Sequence, residues 1–373
     1  MIVLNTILTV IYGLILLNVI VFLHELGHFF MAKKAGVVVE AFSIGMGPIL
    51  LHKEFRGTDW RISLFPVGGY CAMKGEKDAE EENVILDSDS LYGTKPIYRG
   101  LIGLAGPFAN LVFAFFAYMV VAMLGYTYYA ADNKILIPEY LADSPAAKAG
   151  LLSGDKITKV NDIIIEDFAD LRAAILPRGN EDLTILVNRN EQALTFTVHS
   201  GMDKDSGAGF LGVENNPSSR ILREAKRYGF FGAVVQAAKQ TEETIALTFK
   251  GFATLFKGVK ITETVGGPAR ITTMLGSTSR AGFSENFRTG ISSILQLLAL
   301  ISLSLFIMNL LPIPILDGWL VLISFLEAIF KIKISSKSRA IIQSIGIFFI
   351  LLLFSIALYS DINYFVGVFN ASK

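Results

Sequence analysis

The residues best suited to chemistry lie in one pentapeptide, His24-Glu25-Leu26-Gly27-His28. Positions i and i+4 lie one above the other on a helix face, so these two imidazoles can grip one metal ion. The H-E-x-x-H spacing is one that serves zinc. Glu25, beside the first histidine, is placed to act on the water such an ion activates. It would be a general base that then hands the proton to a leaving amine. The chain has 4 histidines, so a chance match is improbable. The bland alternative is a histidine pair facing water at a helix end. Against it, three ionisable residues continue an apolar run, where they are costly and usually functional. His52 and His199 lack the spacing and read as surface residues.

A catalytic zinc takes three protein ligands and leaves one position open. No third histidine is near, so the ligand must come from another helix, and Asp317 is the candidate. It ends the third apolar run in Asn309-Leu310-Leu311-Pro312-Ile313-Pro314-Ile315-Leu316-Asp317-Gly318. Pro312 and Pro314 cannot continue a regular helix. Unwound backbone is not tolerated against lipid, so this segment is expected in the protein interior. The lone Cys71 excludes an intrachain disulfide framework and a cysteine-based metal site.

The elements that must position these residues are set by composition. Of the 373 residues 52% are hydrophobic and 18% charged, below the roughly 25% charged residues of a soluble domain. The formal net charge is zero, so no basic surface asks for nucleic acid, and no nucleic-acid partner is expected. Four stretches lack Asp, Glu, Lys and Arg for long enough to span a bilayer, which takes roughly 20 residues: 1–23, 101–131, 289–316 and 340–360. The first has no basic n-region and no small-residue cleavage site, so a retained helix is expected rather than a signal peptide. Lys33, Lys34, Lys95, Arg99, Lys331, Lys333, Lys337 and Arg339 then belong on the cytoplasmic side, with both termini outside. Asp317 falls level with His24 and His28.

The expected fold is a polytopic α-helical membrane protein with four transmembrane helices. Residues 1–131 form an N-terminal membrane core. Within it, 37–73 reads as a β-hairpin turning at Arg56-Gly57-Thr58-Asp59, with strands at 49–55 and 60–65. The hairpin either re-enters the membrane or lies on its surface. An acidic, flexible stretch is expected at 78–90. Residues 132–216 read as one small outer α+β domain and 217–288 as amphipathic membrane-surface helices, centred on 225–259. Residues 289–373 form a C-terminal membrane core.

HELGH on the first span and NLLPIPILDG on the third resemble the site-2 protease family of intramembrane zinc metalloproteases. The resemblance covers nearly the whole chain, through Ser43-Ile44-Gly45-Met46-Gly47-Pro48, Pro66-Val67-Gly68-Gly69-Tyr70 and Gly103-Leu104-Ala105-Gly106-Pro107-Phe108-Ala109-Asn110. The outer domain resembles a PDZ domain, with 144–150 and Gly154-Asp155 as its core. Enterobacterial members carry two in tandem, and here one is found. The resemblance implies Zn2+ held by His24, His28 and Asp317, with Glu25 as catalytic acid/base. It implies that Asn309 pairs with the substrate backbone. It also implies a membrane re-entrant hairpin whose edge, at Ile62, Ser63, Leu64 and Phe65, takes an unwound substrate as an added strand. The implied setting is the bacterial inner membrane, with both termini and the PDZ domain periplasmic and the active site near the cytoplasmic side. Implied substrates are single-span proteins in the lipid bilayer, of the anti-sigma-factor or remnant-signal-peptide type, cut after a first protease trims them.

Two rival functions leave different traces. A membrane-anchored zinc protease of soluble or misfolded proteins expects a third His or Glu on a soluble domain, whereas every candidate ligand here borders a span. A non-enzymatic PDZ scaffold with a structural zinc expects a closed, four-ligand site and has no use for Glu25.

Overall fold

The computed structural model describes residues 2–76, 87–202, 208–216, 219–255, 267–331 and 336–371. Two compact units emerge: Met1–Tyr126 with Lys226–Lys373, and Thr127–Ala225. Described helices are α1 (Ile2–Ala35), α2 (Pro96–Leu124), α3 (Pro145–Lys148), α4 (Phe168–Ile175), α5 (Phe230–Leu255), α6 (Pro268–Glu285), α7 (Phe287–Asn309), α8 (Asp317–Phe330) and α9 (Ser336–Ala371). Strands β1 (Val39–Phe55) and β2 (Thr58–Met73) lie in the first unit.

Three helical stretches among the described residues are long and apolar enough to cross a membrane: Thr9–Ala35, Pro96–Leu124 and Phe287–Asn309. The protein is a polytopic membrane protein. The run at 340–360, expected as a fourth span, lies within α9.

Helix α1 stops where its sequence changes character. Gly36 takes φ +80, Val37 N–H reaches Ala32 O at 2.9 Å, and Gly36 N–H reaches Lys33 O at 3.2 Å. This is the paired-bond glycine cap of a helix end, and Lys33 and Lys34 in the last turn suit the negative end of the dipole. Helix α2 starts with Pro96 in its first turn and contains Pro107. Its Gly103 leaves room for α8: a Cβ there would meet Val321 at 3.2 Å and Asp317 O at 3.3 Å. A buried ion pair from Arg99 to Glu327, with Arg99 Nε donating to Ser324 Oγ at 3.0 Å, ties α8 to the start of α2.

The hairpin is longer and tighter than expected. Its strands run 17 and 16 residues and turn on two residues, Arg56 (φ 52) and Gly57 (φ 71). Two positive φ values in succession match the twist of a hairpin. The sheet is also curled. Ala41, Phe42, Ser43 and Ile44 each stand opposite one residue of 59–62 and one of 69–72, while Ile62 faces both Ile44 and Leu51. Phe42 and Trp60 (4.8 Å between ring centroids) and Phe29 (5.2 Å from Trp60) clamp its base onto α1. The other end exposes Ile49, Leu50, Leu51, Phe55, Leu64 and Phe65.

Three further helices complete the bundle. The stretch expected at 225–259 is helical over Phe230–Leu255; residues 256–259 lie outside the described residues. Its small face, Ala233, Ala237, Thr241 and Thr244, is buried, with Ala237 packed among α2 and α7 side chains and Tyr118 Oη 3.2 Å from Thr244 Oγ1. Helix α6, within the 217–288 expected as membrane-surface helices, crosses α1 at small residues. A Cβ on Gly13 would lie 2.1 Å from Thr272 O, and one on Gly276 2.4 Å from Thr9 O, so the backbones touch. Asp361 of α9 accepts the Gly267 and Ala269 N–H groups, each at 2.9 Å, and caps α6. The acidic stretch expected at 78–90 falls largely outside the described residues.

The second unit holds β3 (Thr127–Ala131), β4 (Ile135–Leu136), β5 (Lys156–Val160), β6 (Ile163–Ile164), β7 (Asp182–Arg189), β8 (Gln192–His199), β9 (Gly201–Met202), β10 (Gly209–Phe210), β11 (Glu214–Asn215) and β12 (Arg220–Glu224). A four-stranded sheet in the order β6-β5-β7-β8 packs Ile157, Leu183, Ile185 and Val187 with Leu171 and Ala174 of α4. Strands β3 and β12 pair and close the unit's two ends together, so it begins and ends outside the 132–216 expected. Burial works against the charge of Asp155, but the Arg189 guanidinium at 2.7 Å holds its carboxyl below the usual range.

Candidate metal centre

Four elements of the first unit build the site. Helix α1 carries His24 and His28 on one face. Helix α7 ends at Asn309, and the chain to Asp317 is non-helical, as two prolines require. The sequence reading placed Asp317 at the end of the third helix; instead it opens α8, because the break lets a new helix start there. Ile315 sits at φ +85, which a β-branched residue adopts only where the surroundings impose it. Gly318 then packs against the unwound segment, since a Cβ there would lie 2.3 Å from Leu310 O.

The side chains converge. His24 Nε2 lies 3.1 Å from Asp317 Oδ2 and His28 Nε2 3.3 Å from Asp317 Oδ1. The two Nε2 atoms are 3.3 Å apart. A tetrahedral zinc with bonds of 2.0–2.1 Å has ligands ~3.3 Å apart, so these three separations fit one such ion. Among the described residues this trio is the one cluster of its kind. Both histidines are under a tenth exposed. The donor set of two imidazoles and one carboxylate, with a fourth corner left open, is that of a catalytic rather than a structural zinc site.

Outer contacts orient the histidine rings. The Ile102 carbonyl lies 2.8 Å from His28 Nδ1, which directs Nε2 inward as a lone pair. Asn110 Nδ2 lies 3.2 Å from His24 Nδ1, and Asn309 Nδ2 lies 3.4 Å from His24 Nε2. Glu25 is partly exposed and accepts the Cys71 backbone N–H. Gly69 comes close enough that its Cβ would be 3.7 Å from Glu25 Cγ. A cavity beside Asp317 is lined by polar Arg99, Glu76 and Tyr92 together with apolar side chains such as Trp319 and Leu320.

The structure thus brings His24, Glu25, His28, Asp317 and Asn309 into one place. The hairpin residues need a correction. Ile62 is no edge residue, because Ile44 and Leu51 flank it. Ser63 is buried, opposite Ile49 and 3.0 Å from Ser43 Oγ. Leu64 has no partner in the strand register and Phe65 has Met46 alone, and both are exposed. The curl of β1 around β2, invisible in a local strand pattern, accounts for the difference. His52 and His199 are exposed and pair with Asp59 and Asp182. Sequence reasoning missed Ile102, Gly106 and Asn110 as neighbours of the ligands. A lone Asn in an apolar span, seven residues after Gly103, was the available signal.

The profile described as Peptidase family M50 matches residues 12–353. Three relatives share the name "putative zinc metalloprotease". That of Campylobacter jejuni is 33% identical, over 95% of this chain and 93% of its own. That of Rickettsia conorii is 32% identical, over 95% and 99%. That of Treponema pallidum is 30% identical, over 95% and 99%.

Proposed function

The chain belongs to peptidase family M50 and is a zinc metalloprotease, and on that premise we propose that it hydrolyses peptide bonds inside the transmembrane segments of single-span proteins. The observation that carries this reading is the location of the trio. His24, His28 and Asp317 meet within 4.8 Å of one another, with both histidines inside the apolar span Thr9–Ala35 and Asp317 at the start of α8, which favours a substrate that reaches them from the membrane.

His24, His28 and Asp317 would hold the zinc. When bound, the ion supplies Lewis acidity, polarising the scissile carbonyl and making water nucleophilic near neutral pH. Glu25, steadied by the Cys71 N–H, takes the proton from the attacking water and delivers it to the leaving nitrogen. Asn309 donates from its amide to the substrate backbone near the ligands. The cavity beside Asp317 admits water from the cytoplasmic side.

A transmembrane helix hides its peptide bonds in its own ladder, so it must unwind before it is cut. The freed groups pair as an added strand where the sheet is open, at Leu64 and Phe65 rather than at Ile62 and Ser63. The hairpin re-enters the membrane. Its exposed Ile49, Leu50, Leu51 and Phe55 would form an apolar patch poorly suited to water. Helix α9 supplies a fourth span, both termini face the periplasm of a bacterial inner membrane, and the second unit is a PDZ-like domain there. That domain screens substrates of the anti-sigma-factor or remnant-signal-peptide type, already trimmed by a first protease.

The test is cleavage by the purified full chain of a panel of single-span peptides in vesicles, beside an unstructured soluble protein. Cuts mapped within the apolar spans support the reading. Cutting of the soluble protein alone would make the enzyme a membrane-anchored protease of soluble substrates.

A further inference from the structure

Asn110 sits in the middle of α2, a helix of mean apolar character, and is 0% exposed. A buried amide without a full set of partners costs about 1–3 kcal/mol, and the Oδ1 of Asn110 has none. Its Nδ2 approaches a single ring atom, His24 Nδ1, at 3.2 Å. Its backbone is fixed from the other side, where Ser302 Oγ donates to Asn110 O at 3.0 Å.

The two histidines are treated alike by the fold. Each points Nε2 at Asp317, and each points Nδ1 at α2. Helix α2 runs against α1, so His28 meets Ile102 and His24 meets Asn110. Ile102 offers a carbonyl, which can only accept, and so His28 Nδ1 keeps its proton there. For His24 Nε2 to hold a metal, its Nδ1 must carry the proton too, and the group facing it must accept. The two ends of an amide are nearly the same size, so a half-turn of the Asn110 side chain puts Oδ1 where Nδ2 lies.

We propose that Asn110 is a positioning residue for the metal centre: its side-chain carbonyl accepts the Nδ1–H of His24 and fixes the ring with Nε2 bare toward Asp317. This rests on the reading that His24 is a zinc ligand. Asn110 touches neither zinc nor substrate and acts through His24.

The test uses the full chain in detergent and reads zinc affinity by competition with a chromogenic chelator, so it does not depend on turnover. Four proteins are compared: wild type, His24→Ala, Asn110→Leu and Asn110→Asp. Leucine fills the space and cannot accept, and affinity should fall about 10–100-fold, as for other outer partners of metal-bound histidines. Aspartate accepts from Nδ1–H at least as well as the amide, and affinity should stay at or above that of wild type. A residue with only a packing role would not be rescued by a buried carboxylate. Wild-type affinity in Asn110→Leu overturns the proposal, and so does an Asn110→Asp protein as weak as a folded Asn110→Leu. If the leucine variant does not fold, the aspartate variant decides alone, because a ring whose Nδ1 accepts would be repelled by the carboxylate. Wild-type affinity in His24→Ala would refute the ligand assignment itself, a different outcome from losing only the role of Asn110.

Discussion

Gly106 of α2 offers a sharp perturbation of the metal centre. An added Cβ would fall 2.2 Å from His28 Nε2, 2.6 Å from Cε1 and 2.7 Å from Cδ2. Non-bonded atoms need about 3.5 Å, so in Gly106→Ala the ring or the helix must retreat by about 1 Å. The ring has little room to yield, since its Nδ1 is held by Ile102 O at 2.8 Å. Metal–ligand distances tolerate about 0.2 Å, so zinc affinity should drop by at least ~10–100-fold, about 1.4–2.7 kcal/mol. The helix itself should not suffer, because Ala is favoured over Gly in a helix by up to ~1 kcal/mol. The loss should therefore show in metal binding and cleavage, while the zinc-free protein carries an overpacking cost of about 1–3 kcal/mol that the helix gain offsets only in part. Gly100→Ala is the control in the same helix, where the nearest atom is Ser324 Cβ at 3.3 Å. Chelator competition and thermal unfolding with and without zinc read both effects. Wild-type zinc affinity and cleavage in Gly106→Ala would refute the packing of α2 against His28.

Glu25→Gln should abolish cleavage while zinc content and fold persist, since the amide cannot take the water's proton; a variant turning over at full rate would remove Glu25 from the mechanism. Leu64→Pro removes an N–H at a position without a partner in the strand register, and it should slow cleavage of a Leu-rich span more than that of a Gly-Pro variant. Helix breakers weaken a span by about 1 kcal/mol for Gly and 3 for Pro, so wild type should favour the Gly-Pro span by up to ~1,000-fold; equal rates would mean that unwinding does not limit. In the second unit, Asp155→Asn leaves Arg189 without its carboxylate and should cost about 3 kcal/mol. Because Asp155 is held below its unfolded pKa, its contribution is present above about pH 4 and fades as pH falls through the folded value. Acid unfolding followed by limited proteolysis should show that step in wild type and lack it in the variant.

Much of this was legible in the sequence because the strongest signals are local. A histidine pair at i and i+4 on an apolar helix specifies its own geometry, and Pro312 with Pro314 specifies a break. Both hold whatever packs around them. The turn at Arg56-Gly57 was visible for the same reason. What escaped depends on contacts between distant segments. The curl that flanks Ile62 with Ile44 and Leu51 follows from how β1 bends over β2, which alternation of residue types does not encode. The separation of α7 from α8 hid within one apolar run, because hydropathy averages over the seven residues that unwind. The closeness of Gly106 to His28 needs the antiparallel register of α1 and α2, and no spacing within α2 reveals it.

The central claim is that His24, His28 and Asp317 hold a zinc ion that cleaves membrane spans. Its most direct test is metal content and cleavage of a single-span peptide, measured on the same purified sample of wild type and Asp317→Asn. Stoichiometric zinc with cleavage in wild type, and both reduced together in the variant, is the expected result. Undiminished zinc and undiminished cleavage in Asp317→Asn would contradict it.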